Sequence, residues 1–308
     1  MATQLGSMEI FNVKIIEYAN GQVEVRKYSE PIGADKLGSI NMTQEQAVRR
    51  IELGKKFSAI RREGEIEFNP FTETEERIQT FEQLDMEKER AEKNLRDSLN
   101  RSKNAVYQYA RQSRWKYFIT LTFDPQKVDR SDYSACMKIA NEWFHNQRKR
   151  YAPDLKYLYL GELHSDKVNW HIHGLIDNVG DIKFTDSGKL DRNGHKIYNL
   201  GSWTSGWTTA VAIEQTDESI FKMSNYVTKY ITKDLCMRTK GKRRYYRSNN
   251  IDEPKIHVAW LKPSEIDNYI NEVIDSIGAT LEYEKSCRGF VDVNYRYYKK
   301  KERKKKNG

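Results

Sequence analysis

The sequence predicts an α+β protein whose central part is an antiparallel sheet with helices on one face. Three observations carry that expectation. A β-branched and aromatic run, Tyr117–Phe123, is stopped by Asp124-Pro125. Two further strand-like runs, Tyr157–His164 and Trp170–Asp177, are joined by a turn too short for anything but antiparallel pairing. Helical periodicity separates or follows these runs, so the order reads β-α-β-β-β-α, over about 120 residues, an ordinary domain size.

Taken in order, residues 9–29 alternate as a hairpin about Asn20-Gly21, a strong tight-turn pair. Thr43–Arg62 and Thr72 to about Gln112 read as helices, the second with an intermittent apolar stripe through Leu95, Leu99, Val106 and Ala110. After the first central strand, Ser131-Asp132 can cap a helix running to about Arg150, before Pro153. A glycine- and asparagine-rich loop is expected from Gly180 to Gly206, then a strand over Trp207–Ile213 and a helix from about Asp217 to Asp234. Three segments follow from this: 1–114, a hairpin and helical extension of open role; 115–235, the motif-bearing domain; and 236–308, a basic C-terminal region.

Composition narrows the class. The 308 residues carry 53 Lys+Arg against 44 Asp+Glu, a formal charge of +9. Hydrophobic residues make up 38%, and 12% aromatics is too rich for a disordered chain. No apolar run approaches the roughly 20 residues that span a bilayer. Residues 1–8 lack the layout of a secretory signal. Cys136, Cys236 and Cys287 are odd in number and far apart, which reads as reduced thiols rather than a disulfide framework or zinc site. A cytoplasmic location, in a bacterial host cell, is the expectation. The charge is concentrated: Arg238–Arg247 holds six basic residues and no acid, and Arg296–Lys306 holds eight against Glu302. Localised basicity suits a polyanion, although the second stretch reads equally as a solvated face and tail.

His171-Ile172-His173 places two imidazoles on one strand face, about 6.6–6.8 Å apart along the chain. The antiparallel neighbour offers Glu162 and His164, also on a shared face, to complete a site for one divalent ion. An open N/O shell suits Mg²⁺ or Mn²⁺ better than structural zinc. Farther on, Tyr226, Lys229, Tyr230 and Lys233 recur at helical spacing beside an apolar stripe of Ile220, Met223, Val227 and Ile231. A tyrosine assisted by metal and lysine can attack phosphorus. Arg243, Arg244, Tyr245 and Tyr246 are candidates for phosphate contact and base stacking, and Thr120 and Thr122 face one way from the first strand as candidate DNA contacts.

Over about Trp115–Asp234 these elements resemble the HUH endonucleases, specifically the rolling-circle replication initiator (Rep) proteins of small phages and plasmids. Tyr117–Asp124 is similar to the family's first motif, Trp170–Leu175 to its His-hydrophobic-His motif, and Tyr226–Lys233 to its nucleophile motif. The resemblance implies an RRM-like core, with His171, His173 and Glu162 as ligands of Mg²⁺ or Mn²⁺. It implies Tyr226 and Tyr230 as alternating nucleophiles and Lys229 and Lys233 as their lysines. The activity implied is nicking and rejoining of one strand of origin DNA, through a 5′-phosphotyrosyl link and a 3′-OH primer. A relaxase or single-strand transposase would share this chemistry, and a non-catalytic replication factor would share the fold. No G-x-x-x-x-G-K-[ST] motif occurs, so unwinding is expected from a separate helicase and extension from a host polymerase.

Overall fold

A computed structural model of the chain describes residues 3–5, 8–35, 42–43, 52, 66–69, 74–77, 81–289 and 291–300. The first elements are β1 (Thr3–Leu5), β2 (Met8–Glu17), β3 (Gln22–Asp35), β4 (Met42–Thr43), β5 (Ile66–Asn69), β6 (Thr74–Arg77) and α1 (Phe81–Ala110). Then come β7 (Tyr117–Phe123), α2 (Tyr133–Arg150), β8 (Lys156–Leu163), β9 (Trp170–Asp177), β10 (Phe184–Leu190), β11 (Lys196–Leu200) and β12 (Gly206–Ala212). The remainder is α3 (Asp217–Thr228), α4 (Lys233–Arg238), β13 (Tyr245–Arg247), β14 (Lys255–Ala259), α5 (Ile266–Ile277), β15 (Ala279–Cys287) and β16 (Val293–Lys300). These elements form two compact units that interleave in sequence. One takes Met1–Ile16, Val23–Ser98 and Ile256–Gly308; the other takes Glu17–Gln22 and Leu99–Lys255.

In the first unit the strand order is β1-β2-β3-β16-β15, with β14 on β2 and β4 on β3. The expected hairpin at residues 9–29 is β2–β3. Its turn closes where Gly21 takes φ +86°, with Asn20 Oδ1 accepting from the Gln22 amide at 3.0 Å. Helix α5 supplies Ile266, Ile270 and Ile274 at four-residue spacing, packed with Val13, Ile15, Val23, Val25 and Tyr298. Arg296, expected in a solvated basic tail, lies in β16 and pairs with Asp267 at 3.0 Å and Glu284 at 3.3 Å. Alternation within Val293–Lys300 was masked by its basic composition; the rest of that stretch, 301–306, lies outside the described residues.

The helix expected over Thr43–Arg62 also lies outside the described residues, except for Thr43 in β4 and Glu52. The one expected from Thr72 begins later, at Phe81, because Thr74–Arg77 pairs as a strand with Ile66–Asn69.

The second unit holds the central sheet, ordered β10-β11-β12-β7-β9-β8-β13 and antiparallel at each of its recorded pairings. Asp132 caps α2 by accepting from the Ser134 amide at 2.7 Å, and Arg148, Lys149 and Arg150 fill its last turn. Helix α2 covers one sheet face: Phe144 stacks on Tyr157 and Tyr159 at 4.4 and 4.6 Å between centroids. This is the cover that the α+β reading expected. The opposite face carries His171 and His173, with the end of α3 against it. The expected loop Gly180–Gly206 contains instead the hairpin β10–β11, irregular between Asp186 and Lys189. Its exposed polar residues and Gly188 and Gly194, both at positive φ, hid the strand alternation. Among the described residues no helix is long and apolar enough to cross a membrane.

Ile270 is fully buried at the centre of the α5 contact. Ile270→Ala is expected to cost about 2–5 kcal/mol, read as a lowered denaturant midpoint of the first unit.

Candidate functional site

The pairing of β8 with β9 sets Glu162 directly opposite His171 and Leu160 opposite His173. Period-two alternation then brings one carboxylate and two imidazoles to the same face. Glu162 Oε2 lies 2.9 Å from His171 Nε2 and 2.7 Å from His173 Nε2. The three ligand atoms fall within 4.8 Å of one another, the only such group of three His, Cys, Asp or Glu among the described residues. His164, the alternative third ligand, stands beyond the end of β8 with its side chain 55% exposed, beside Asp166 and Ser165. Geometry thus selects Glu162.

The neighbouring strand supports the histidines. β7 pairs with β9 so that Thr120 faces His173 and Thr122 faces His171. Thr120 Oγ1 is 3.0 Å from His173 Nδ1. Thr120, expected as a DNA contact, therefore orients a metal-ligand candidate, which fixes the ring and leaves Nε2 for Glu162 or an ion. Burial raises the Glu162 carboxyl, but hydrogen bonds from both imidazoles outweigh it and hold it at about 2. Burial lowers His173 below the ordinary imidazole value, against the opposing hydrogen bond to Glu162. The donor set, two imidazole nitrogens and an ionised carboxylate with room for other ligands, fits a divalent ion.

The tyrosines arrive from α3. Thr216 caps this helix by accepting from the Ser219 amide, Asp217 and Glu218 fill its first turn, and Ile220 and Val227 are buried along its inner side. The expected single helix to Asp234 breaks after Thr228. Lys229 N–H bonds back to Tyr226 C=O, Ile231 N–H to Thr228 C=O, and Thr232 caps a separate helix α4 by accepting from the Leu235 amide. Tyr226 and Lys229 sit at the end of one helix, Tyr230 lies in the connection, and Lys233 opens the next. The four residues do not form one continuous helical stripe.

The break gives the two tyrosines different surroundings. Tyr230 is 8% exposed, with its ring stacked on His173 at 4.1 Å between centroids. Tyr226 is 40% exposed and edge-on to Tyr230 at 5.4 Å, with Lys229 Nζ 5.2 Å from its ring centre. Burial raises the Tyr230 phenol far above its ordinary value, and its hydrogen bond with Tyr226 adds to the shift. Phe118 joins the cluster, 5.5 Å from both His173 and Tyr226. Phe118 was not among the expected site residues, although the alternation that paired Thr120 with Thr122 places it on the same face.

The basic stretch is built differently from its expectation as an open patch. Tyr245–Arg247 is the edge strand β13, paired with β8. Tyr246 stacks on Tyr159 at 5.1 Å, and Tyr245 lies 6.1 Å from Tyr109. Arg244 reaches Thr239 Oγ1 at 3.3 Å and Ser102 Oγ at 3.2 Å, whereas Arg243 is exposed. These contacts make most of the stretch structural.

Thr120→Val should lower Mn²⁺ affinity by about 10–100-fold in a calorimetric titration, and Thr120→Ser should restore it. Unchanged affinity in the valine variant would remove Thr120 from the site.

A family model described as a replication-associated protein of the ORF2 type matches residues 116–235. The matched segment contains Glu162, His171, His173, Tyr226 and Tyr230. No curated protein and no solved structure matches the chain. Over this segment the chain is similar to a replication-associated protein, which is consistent with a replication initiator.

Proposed function

We propose that this chain initiates replication by nicking one DNA strand at an origin, holding the 5′ end on a tyrosine, and later rejoining the strand, as an HUH-type enzyme. The observation that carries this reading is the convergence of Glu162, His171 and His173 with Tyr226 and Tyr230 on one sheet face. It lies inside the segment similar to replication-associated proteins.

Glu162 Oε2, His171 Nε2 and His173 Nε2 would hold Mg²⁺ or Mn²⁺, which when bound supplies positive charge at the scissile phosphate. Thr120 keeps His173 turned so that Nε2 faces Glu162. Tyr226, the exposed phenol, is the first nucleophile. Its oxygen bonds to phosphorus as the bond from phosphorus to the 3′-oxygen breaks. The phenol loses its proton and the 3′-oxygen gains one. One phosphodiester replaces another, so the link can be reversed, and the free 3′-OH can prime synthesis by a host polymerase. Lys229, beside Tyr226, counters phosphate charge. Lys233, exposed at the start of α4, serves the same strand. Tyr230, packed on His173, takes the second transfer. Thr122 and exposed Arg243 remain contacts for the bound DNA, and a separate helicase supplies unwinding.

A panel of single-stranded origin candidates with Mn²⁺, scored as protein–DNA adduct on a denaturing gel, tests this. Tyr226→Phe should lose the first adduct, Tyr230→Phe should form it but rejoin poorly, and the double variant should form none. An adduct formed by the double variant would exclude both tyrosines. His171→Ala with His173→Ala should cut adduct formation by about 10²–10³-fold while leaving salt-sensitive DNA binding.

A further inference from the structure

We propose that Trp207 is a stacking platform for an unpaired base of the DNA strand, next to the phosphate that reacts. The proposal rests on the function proposed above, in taking that strand to lie on the histidine face.

Strand pairing puts Trp207 there. Trp207 pairs with Thr122, Thr122 with His171, and His171 with Glu162. Directly paired residues share a face, so the four side chains form one row across four strands. At about 4.8 Å per strand, Trp207 stands roughly 10 Å from His171 along that row. Gly206 makes this placement available. Its φ is +155°, and a Cβ there would meet Thr122 O at 2.1 Å and the Asp124 amide nitrogen at 2.7 Å. The chain therefore passes β7 more closely than any side chain allows, and the next residue lands opposite Thr122.

The two sides of the row differ. Toward His173 the face is closed by Phe118, Tyr226 and Tyr230. Toward β12 it is open: Trp207 is 61% exposed, and Thr209, two residues on and on the same face, is also exposed. Thr120, Thr122, Trp207 and Thr209 present hydroxyls and an indole but no acid, so a phosphodiester crossing them meets no like charge. Lys127, exposed and held to the Thr204 carbonyl at 2.9 Å, places a cation near the start of β12, with Asp124 3.9 Å from it. An indole can offer its face to an unpaired base, whereas the bases of a duplex keep their faces stacked on one another. The occupant is therefore single-stranded DNA, held without strong sequence preference at this position.

The test uses the full chain without metal, titrated with a labelled oligothymidylate of about 16 nucleotides and with a duplex of equal length. Trp207→Ala should weaken binding of the single strand by about 5- to 100-fold, and Trp207→Phe should recover most of the loss. Trp207→Leu, which keeps apolar bulk without a ring, should resemble the alanine variant. The salt slope should stay unchanged because no charge is removed. Single-strand affinity equal to wild type in the alanine and leucine variants overturns the proposal. So does an equal loss of duplex binding, or a loss of self-association in those variants, which would assign the indole to a second copy of the chain. The adduct assay, run in parallel, separates the two readings. Trp207-dependent binding without adduct sinks the nicking reaction and keeps the platform; adduct with Trp207-independent binding does the reverse.

Discussion

The candidate site depends on one constraint, the register between β8 and β9. Side chains alternate with period two, so a slip of one residue would set Gly161 or Leu163 opposite His171 and turn the Glu162 carboxylate toward α2. The α2 face holds the register. A Cβ at Gly174 would come within 2.9 Å of Tyr159 Cβ, and one at Gly161 within 3.0 and 3.1 Å of Tyr133 and Met137. These glycines let the two strands and α2 approach closely, and the Tyr157–Phe144–Tyr159 layer packs over the same surface. The precision of the polar face thus derives from aromatic packing on the apolar one.

Electrostatics and backbone geometry act together on the polar face. Glu162 is held ionised while burial keeps His173 neutral, so the cluster offers lone pairs and negative charge to a cation. The break between α3 and α4 makes the tyrosines unequal. A continuous helix would carry Tyr226 and Tyr230 one turn apart on a common stripe. The break packs Tyr230 against an imidazole and leaves Tyr226 at the rim.

Much of this was legible in the residues. The strands at Tyr117, Tyr157 and Trp170, the Asp132 cap and the Glu162–His171–His173 group all follow from alternation and turn chemistry. These signals are local, or connect neighbours across a short turn. The helix break was not legible, since Asn225–Lys233 contains neither Gly nor Pro and its interruption depends on Thr232 acting as a cap. The β10–β11 hairpin was hidden by exposed polar side chains on both faces, which erase the period-two contrast. Arg244 and Tyr246 read as a DNA patch because composition shows charge and aromaticity but not that Ser102 and Tyr159 are their partners. The place of β16 beside β3 is a pairing across more than 250 residues, beyond any local pattern.

That last pairing orders events during synthesis. The β8–β9 hairpin needs only a short stretch of chain, and the strands of the second unit, β7–β13, are all made before residue 256. The sheet of the first unit waits for β15 and β16, while β2 and β3 have long since left the ribosome. During that interval the edge of β3 that later receives β16 is unpaired, the kind of strand edge that recruits other chains. A ribosome stalled before residue 293 would therefore carry a finished histidine sheet and an incomplete, adhesive one on the same chain.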